Sequence, residues 1–159
     1  MIDINNFNQD NIIIKKTKEL PNAQLYSIDY ENDKIIFPVN NVKIPFGLEK
    51  YYNDYLIKIP LNSEIIKSLV NKIEDKISPM DKNKFKSQIR KSQNYEDLLT
   101  VKIINNKNEI SIKKYDNSLA TIFDINKNSI INLIIFIDLV WSGKDSLVAK
   151  FKTKDIHIL

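Results

Sequence analysis

The sequence has no cysteine, one histidine, one arginine, one tryptophan and two glycines among its 159 residues. Each scarcity removes a class of chemistry. Without cysteine there is no disulfide framework, no thiolate nucleophile and no thiolate metal site, which fits a reducing compartment. His157, in the closing "KDIHIL", is the only imidazole, so zinc and copper centres lack their usual ligands. No partner motif makes it a general base, and it reads as an edge or surface residue. Gly47 and Gly143 are far apart, which excludes a glycine-rich phosphate loop. Carboxylate pairs such as Glu74/Asp75 and Glu96/Asp97 are adjacent in sequence and point in different directions. Long apolar runs are missing as well. "IINLIIFIDLVW" (130–141) contains Asn132 and Asp138 and falls short of the roughly 20 residues a membrane span requires. "MIDINNFNQDN" has no basic stretch leading into an apolar one, so no secretory signal is expected. These absences lead us to expect an intracellular, non-enzymatic protein without cofactor, metal or membrane partner.

What is abundant is isoleucine (29), lysine (23) and asparagine (20). All three have A/T-rich codons, so the net charge of +4 partly reflects base composition, and only the placement of the lysines carries weight. That placement is uneven. Residues 1–60 hold 7 basic and 8 acidic side chains, whereas 61–159 hold 17 and 12.

The length suits one domain, 1–159, with a core that needs no staples. Strand patterns come first: "NIIIKKT" (11–17), the alternating "AQLYSIDY" (23–30), "KIIFPV" (34–39) after the turn "END", and "YLIKIPL" (55–61). The period then changes. Ile65, Ile66, Leu69, Val70, Ile73 and Ile77 have helical spacing, with Asn62 or Ser63 as cap, Glu64 in the first turn and Pro79 beyond the end. A polar connection (81–97) follows. Strands resume at "LLTVKII" (98–104), "EISIKKY" (109–115) and "LATIFDI" (119–125), and a hairpin closes the chain by pairing 130–141 with 146–158 around "SGKD". One capped helix between two groups of strands predicts a mainly β fold. The architecture that suits it is an OB-fold-like Greek-key β-barrel with the helix between strands 3 and 4.

The candidate functional residues are basic and aromatic. "KNKFKSQIRK" (82–91) holds Lys86, Arg90 and Lys91 among five basic residues and no acid, with Phe85 inside it. Cations along a backbone and a flat ring for a base are what single-stranded nucleic acid needs, although Phe85 would equally suit a core position. On the last strand Lys150, Lys152 and Lys154 share a face opposite Ala149, Phe151 and Thr153, and Lys144 lies in the adjoining turn. Three like charges on one face suit solvent or a polyanion; edge lysines also block unwanted strand pairing. In "EKYYNDY", Tyr55 shares a face with Ile57 and Ile59, leaving Tyr51 and Tyr52 outside the alternation as stacking candidates. Trp141 is either a core lid or a stacking platform, and burial is the commoner fate of a lone tryptophan.

"IPFGLEKYYNDYLIKIPL", the capped helix, the basic connection, "LLTVKI" and the final "IDLVWSGKDSLVAKFKTKDIHI" together resemble the single-stranded DNA-binding proteins of short-tailed phages, in the form found in large eukaryotic DNA viruses. The resemblance covers roughly residues 35–159. It implies an oligonucleotide-binding barrel that coats single strands, without sequence preference or cofactor, during replication, recombination and repair. Trp141, Lys150 and Lys152 match that family's closing tryptophan and lysine-bearing strand, and Phe46 and Gly47 match its structural turn. It also implies replication proteins as partners and a homodimer, inside an infected cell. The family's acidic C-terminal tail has no counterpart in "KDIHIL", which puts tail-mediated dimerisation and polymerase docking in doubt. The expectation is a single-stranded DNA binder with the DNA-or-RNA preference left open; the alternative is a β-rich structural or adaptor protein of a virion or complex.

Overall fold

Alternating apolar residues become strands only where another strand satisfies their backbone, and the chain does this in two places. A computed structural model of the protein describes residues 1–94 and 96–159. It is mainly β, with one α-helix among the described residues. The residues form two compact units, each gathered from three stretches of chain.

The first unit comprises Met1–Phe37, Asn62–Gln88 and Phe136–Lys150. Here β1 (Ile12–Leu20) and β2 (Ala23–Tyr30) pair antiparallel from Ile12↔Tyr30 to Leu20↔Ala23, with one slip between Lys16 and Lys18. Through Asp29 and Tyr30, β2 also pairs with the start of β3 (Asp33–Lys43). The connecting Glu31 and Asn32 both have positive φ (50° and 69°), the turn conformation whose twist matches a hairpin. The helix α1 (Glu64–Ile77) is capped by Ser63, whose hydroxyl accepts from Ile66 N–H, a contribution of about 1 kcal/mol. Its buried stripe is Ile66, Leu69, Val70, Ile73 and Ile77, as the spacing predicts, while Ile65 stays exposed. Each fully buried side chain contributes about 1.5–3 kcal/mol.

The second unit comprises Pro38–Leu61, Ile89–Ile135 and Phe151–Leu159. Its ladder runs β12 (Phe151–Ile158), β7 (Leu98–Ile103), β5 (Asp54–Pro60), β4 (Glu49–Tyr51), with β6 (Ile89–Arg90) on β7 and β8 (Ser111–Lys114) on β12. The β12–β7 and β12–β8 pairs are parallel, and the β5–β7 and β4–β5 pairs antiparallel. Ile57, Ile59, Leu99, Val101, Ile103, Phe151 and Ile156 point to the core. The closing hairpin reaches this unit through β9 (Ile130–Ile137): Leu159 N–H donates to the Ile130 carbonyl at 2.9 Å, and buried Thr153 donates its hydroxyl to the Ile134 carbonyl at 2.7 Å. Gly47 has φ +68°, and a Cβ there would lie 2.7 Å from the Lys127 backbone nitrogen, so only glycine fits.

The structure differs from the sequence reading in three places. "LATIFDI" is not a strand. Ile122–Asp124 form a 3₁₀ turn in which the side chains of Thr121 and Asp124 each bond the other's end of the turn. Short polar side chains that bond local backbone compete with a ladder, and here they win. The 81–97 connection is not wholly irregular, since β6 lies within it; residue 95 is outside the described residues. Five strands precede α1, against the four stretches read as strands and the three that an OB-like barrel sets before its helix, and among the described residues no pairing closes either ladder into a barrel.

Candidate nucleic-acid interface

In the first unit, β10 (Leu139–Gly143) and β11 (Leu147–Ala149) form the tip of the closing hairpin, with Trp141 opposite Val148. The other edge of β10 lies on β2, pairing Trp141 with Leu25. Gly143 N–H donates to the Ser146 carbonyl at 2.7 Å to close the turn. Trp141 lies over this turn: its Nε1 is 2.8 Å from where a Cβ on Gly143 would be. The ring is therefore half-buried, neither a full core lid nor a free platform.

The basic connection docks on this tip as a short added strand. Leu147 N–H donates to the Lys84 carbonyl and Lys86 N–H donates to the Leu147 carbonyl, both at 2.9 Å, so Phe85 bridges Leu147 in parallel. Phe85 is half-buried and Lys86 exposed. The Lys84 amine donates to the Gly143 carbonyl at 3.3 Å and lies 4.0 Å from Asp81, which locks it to the turn. Lys144 is exposed at the same turn, and Lys150 is exposed just past β11. Among the described residues no carboxylate pairs with Lys86, Lys144 or Lys150. Beside the tip, a cleft of about 440 Å³ is lined by Leu20, Gln24, Lys84, Gly143 and Lys144.

One residue that sequence reasoning missed holds this arrangement. Glu74, buried on α1, accepts from the Ser87 hydroxyl and from Gln88 N–H at 2.8 Å, pinning the connection to the helix. Burial pushes its carboxyl above the ordinary range, opposed by those two hydrogen bonds. The signal was present: Glu74 stands four residues after Val70 and three before Ile77, on the apolar stripe.

The second unit carries the other candidates. Tyr51 ends β4 opposite Asp54, and Tyr52 turns the chain with φ +55°, an unusual conformation for a bulky residue. Both rings are exposed (63% and 82%) and meet edge-to-face at 4.7 Å. Arg90 is exposed on β6. Lys91 follows it, 3.6 Å from Asp97, which offsets its charge. On β12 the expected alternation holds: Phe151 and Thr153 are buried, and Lys152 and Lys154 face outward, half-exposed. The register sets Lys152 beside Lys102 of β7, and Lys102 opposite Leu56 of β5. Outward-facing Lys58, Lys102 and Lys152 thus share one sheet face. Asp54 lies 3.2 Å from Lys102 and Glu49 lies 3.8 Å from Lys58, moderating that charge. Lys58 and Lys102 were also missed, although each stands at an outward position between core residues of an alternating strand.

The predicted residues therefore fall into two groups. Phe85, Lys86, Trp141, Lys144 and Lys150 belong to the first unit, and Tyr51, Tyr52, Arg90, Lys91, Lys152 and Lys154 to the second. His157 Nε2 lies 2.9 Å from the Lys114 carbonyl, tying β12 to β8. Among the described residues no group of three or more His, Cys, Asp or Glu side chains is placed to hold a metal. Among the described residues no helix is long and apolar enough to cross a membrane. Compared with known proteins, the chain matches no family model and no curated sequence.

Proposed function

We propose that the protein binds single-stranded DNA without sequence preference, coating it during replication, recombination or repair. One observation carries the reading. The two basic stretches, far apart in sequence, meet at Leu147, where strand pairing joins the segment that carries Phe85 and Lys86 to the hairpin tip that carries Trp141 and Lys144. Cations that follow a backbone, set beside rings that accept any base, bind single strands without reading sequence. The outward lysines of the second unit serve the same chemistry. The OB-like Greek-key barrel belongs to this proposal too, supported by the single capped helix between two groups of strands. A homodimer, contacts to replication proteins and a site of action where DNA is copied within an infected cell complete the reading.

The test uses the lone tryptophan. Titration with oligo-dT, followed by Trp141 fluorescence at about 50 and about 200 mM salt, should give quenching and an affinity that falls steeply with salt, with a log–log slope near −0.7 per phosphate neutralised. Oligo-U in parallel separates DNA from RNA preference. No binding at the lower salt overturns the proposal. The structural or adaptor reading would then take its place, favoured by the exposure of Tyr115 (76%) and Leu119 (84%). It predicts a stable assembly with another protein, measurable as co-elution.

A further inference from the structure

We infer that Phe123 is a base-stacking residue in the second unit, the exposed step of a platform built with Tyr55 and Lys50. This rests on the single-strand reading and adds a contact that none of the basic or aromatic residues named there for binding supplies.

Phe123 is 68% exposed, so its ring does little for the core. Its position is nevertheless fixed. It sits on the 3₁₀ turn at 122–124, where its N–H donates to the Thr121 hydroxyl at 3.3 Å and Thr121 N–H donates to Asp124 at 2.8 Å. The ring meets Tyr55 edge-to-face, with centroids 5.9 Å apart and planes at 89°. An exposed aromatic held on a rigid turn loses little freedom when a ligand covers it, which is the economical way to present a stacking surface. The neighbouring groups specify the ligand. The Lys50 amine lies 5.7 Å from the centre of the Tyr55 ring, and among the described residues no carboxylate pairs with it. Lys114, 4.0 Å from Asp124, offsets the one acid on the turn. Tyr55 also lines a cleft of about 290 Å³ together with Asp54, which is paired to Lys102 at 3.2 Å, and with Asn105 and Asn106, whose amides can pair with base edges. A flat apolar ring, a cation within reach of its aromatic partner and an amide-lined cleft fit a nucleobase with its phosphate. A purely apolar partner would leave Lys50 and the amides without a role.

The experiment compares the full-length protein with Phe123→Ala and Phe123→Trp, using oligo-dT and an abasic phosphodeoxyribose chain of equal length. Phe123→Ala should weaken oligo-dT binding about tenfold while leaving abasic binding within about twofold, and Phe123→Trp should retain the oligo-dT affinity. Equal oligo-dT affinity of the wild type and Phe123→Ala overturns the platform and leaves the binding function standing. Parallel loss of both ligands in Phe123→Ala assigns the ring to structure and also overturns it. A wild type that binds neither chain overturns the function and this inference together.

Discussion

The hairpin tip of the first unit and the lysine face of the second assemble charge by different means. On the second, period-two alternation alone sends Lys152 and Lys154 outward while Phe151 and Thr153 are buried. At the tip, charge converges because two backbone bonds at Leu147 bring in a segment some sixty residues earlier in the chain. Local pattern suffices for the first arrangement, whereas the second depends on one long-range joint. They should therefore fail differently, the tip through its joint and the face through its charges.

Removing the side chain that packs at the joint should have the largest effect. Leu147 is 1% exposed, and Leu147→Ala should lower stability by about 2–5 kcal/mol through lost transfer energy and the cavity left behind. Alanine keeps the two backbone bonds, but with the packing beneath them lost the 82–88 segment should become more open to limited proteolysis, while the second unit's ladder keeps its protection in hydrogen exchange. Uniform loss of protection in both units would show that the joint is not local to the tip.

Charge reversal comes next. Lys150→Glu with Lys152→Glu should abolish oligo-dT binding at about 50 mM salt and leave the thermal midpoint nearly unchanged, because surface charges contribute little to stability. To sharpen the contrast, Lys86→Gln with Lys144→Gln in the first unit can be set against Lys152→Gln with Lys154→Gln in the second. Each pair should reduce the salt slope by up to about 1.4, two phosphates' worth. A slope unchanged by one pair places the binding path on the other unit.

A smaller effect isolates the clamp behind the tip. Burial raises the Glu74 carboxyl, so the folded protein favours its protonated form. The stability tied to that form is fully present below the ordinary carboxyl value of 4.5 and is lost as pH rises through the raised folded value. Glu74→Gln removes this titration. The thermal midpoint of the variant relative to the wild type should therefore rise between about pH 4 and about pH 7, by roughly 2–4 °C per kcal/mol. A difference that falls over that interval would mean the bonds from Ser87 and Gln88 outweigh burial.

How much of this was legible in the sequence follows from the same contrast. Features that repeat along the chain could be read: β2 at 23–30, the buried stripe and Ser63 cap of α1, the closing hairpin and the lysine alternation of β12. Features set by a partner distant in sequence could not. The docking of 84–86 on Leu147 leaves no periodic trace, because a two-bond joint is too short to impose one. Glu74 could be placed on the apolar stripe, but its partners Ser87 and Gln88 are fixed by the fold. Phe123 was assigned to a strand because Leu119, Thr121, Phe123 and Ile125 stand at every second position, as in a strand; the mutual bonds of Thr121 and Asp124 decided otherwise.

The smallest predicted effect tests whether Trp141 reports on the tip at all. A Cβ at Gly143 would sit 2.8 Å from the indole Nε1, closer than side-chain contacts allow, yet the obstacle is the end of a side chain rather than backbone. Gly143→Ala should therefore displace the indole, not break the turn, whose closing bond uses the Gly143 N–H that alanine retains. The expected result is a shifted Trp141 emission with a stability change below about 1 kcal/mol, the range of glycine substitutions that the backbone tolerates. Oligo-dT affinity then discriminates two roles for the ring. Affinity lost along with the emission shift makes the position of Trp141 part of binding; affinity kept makes it a bystander that senses DNA held by the lysines around it.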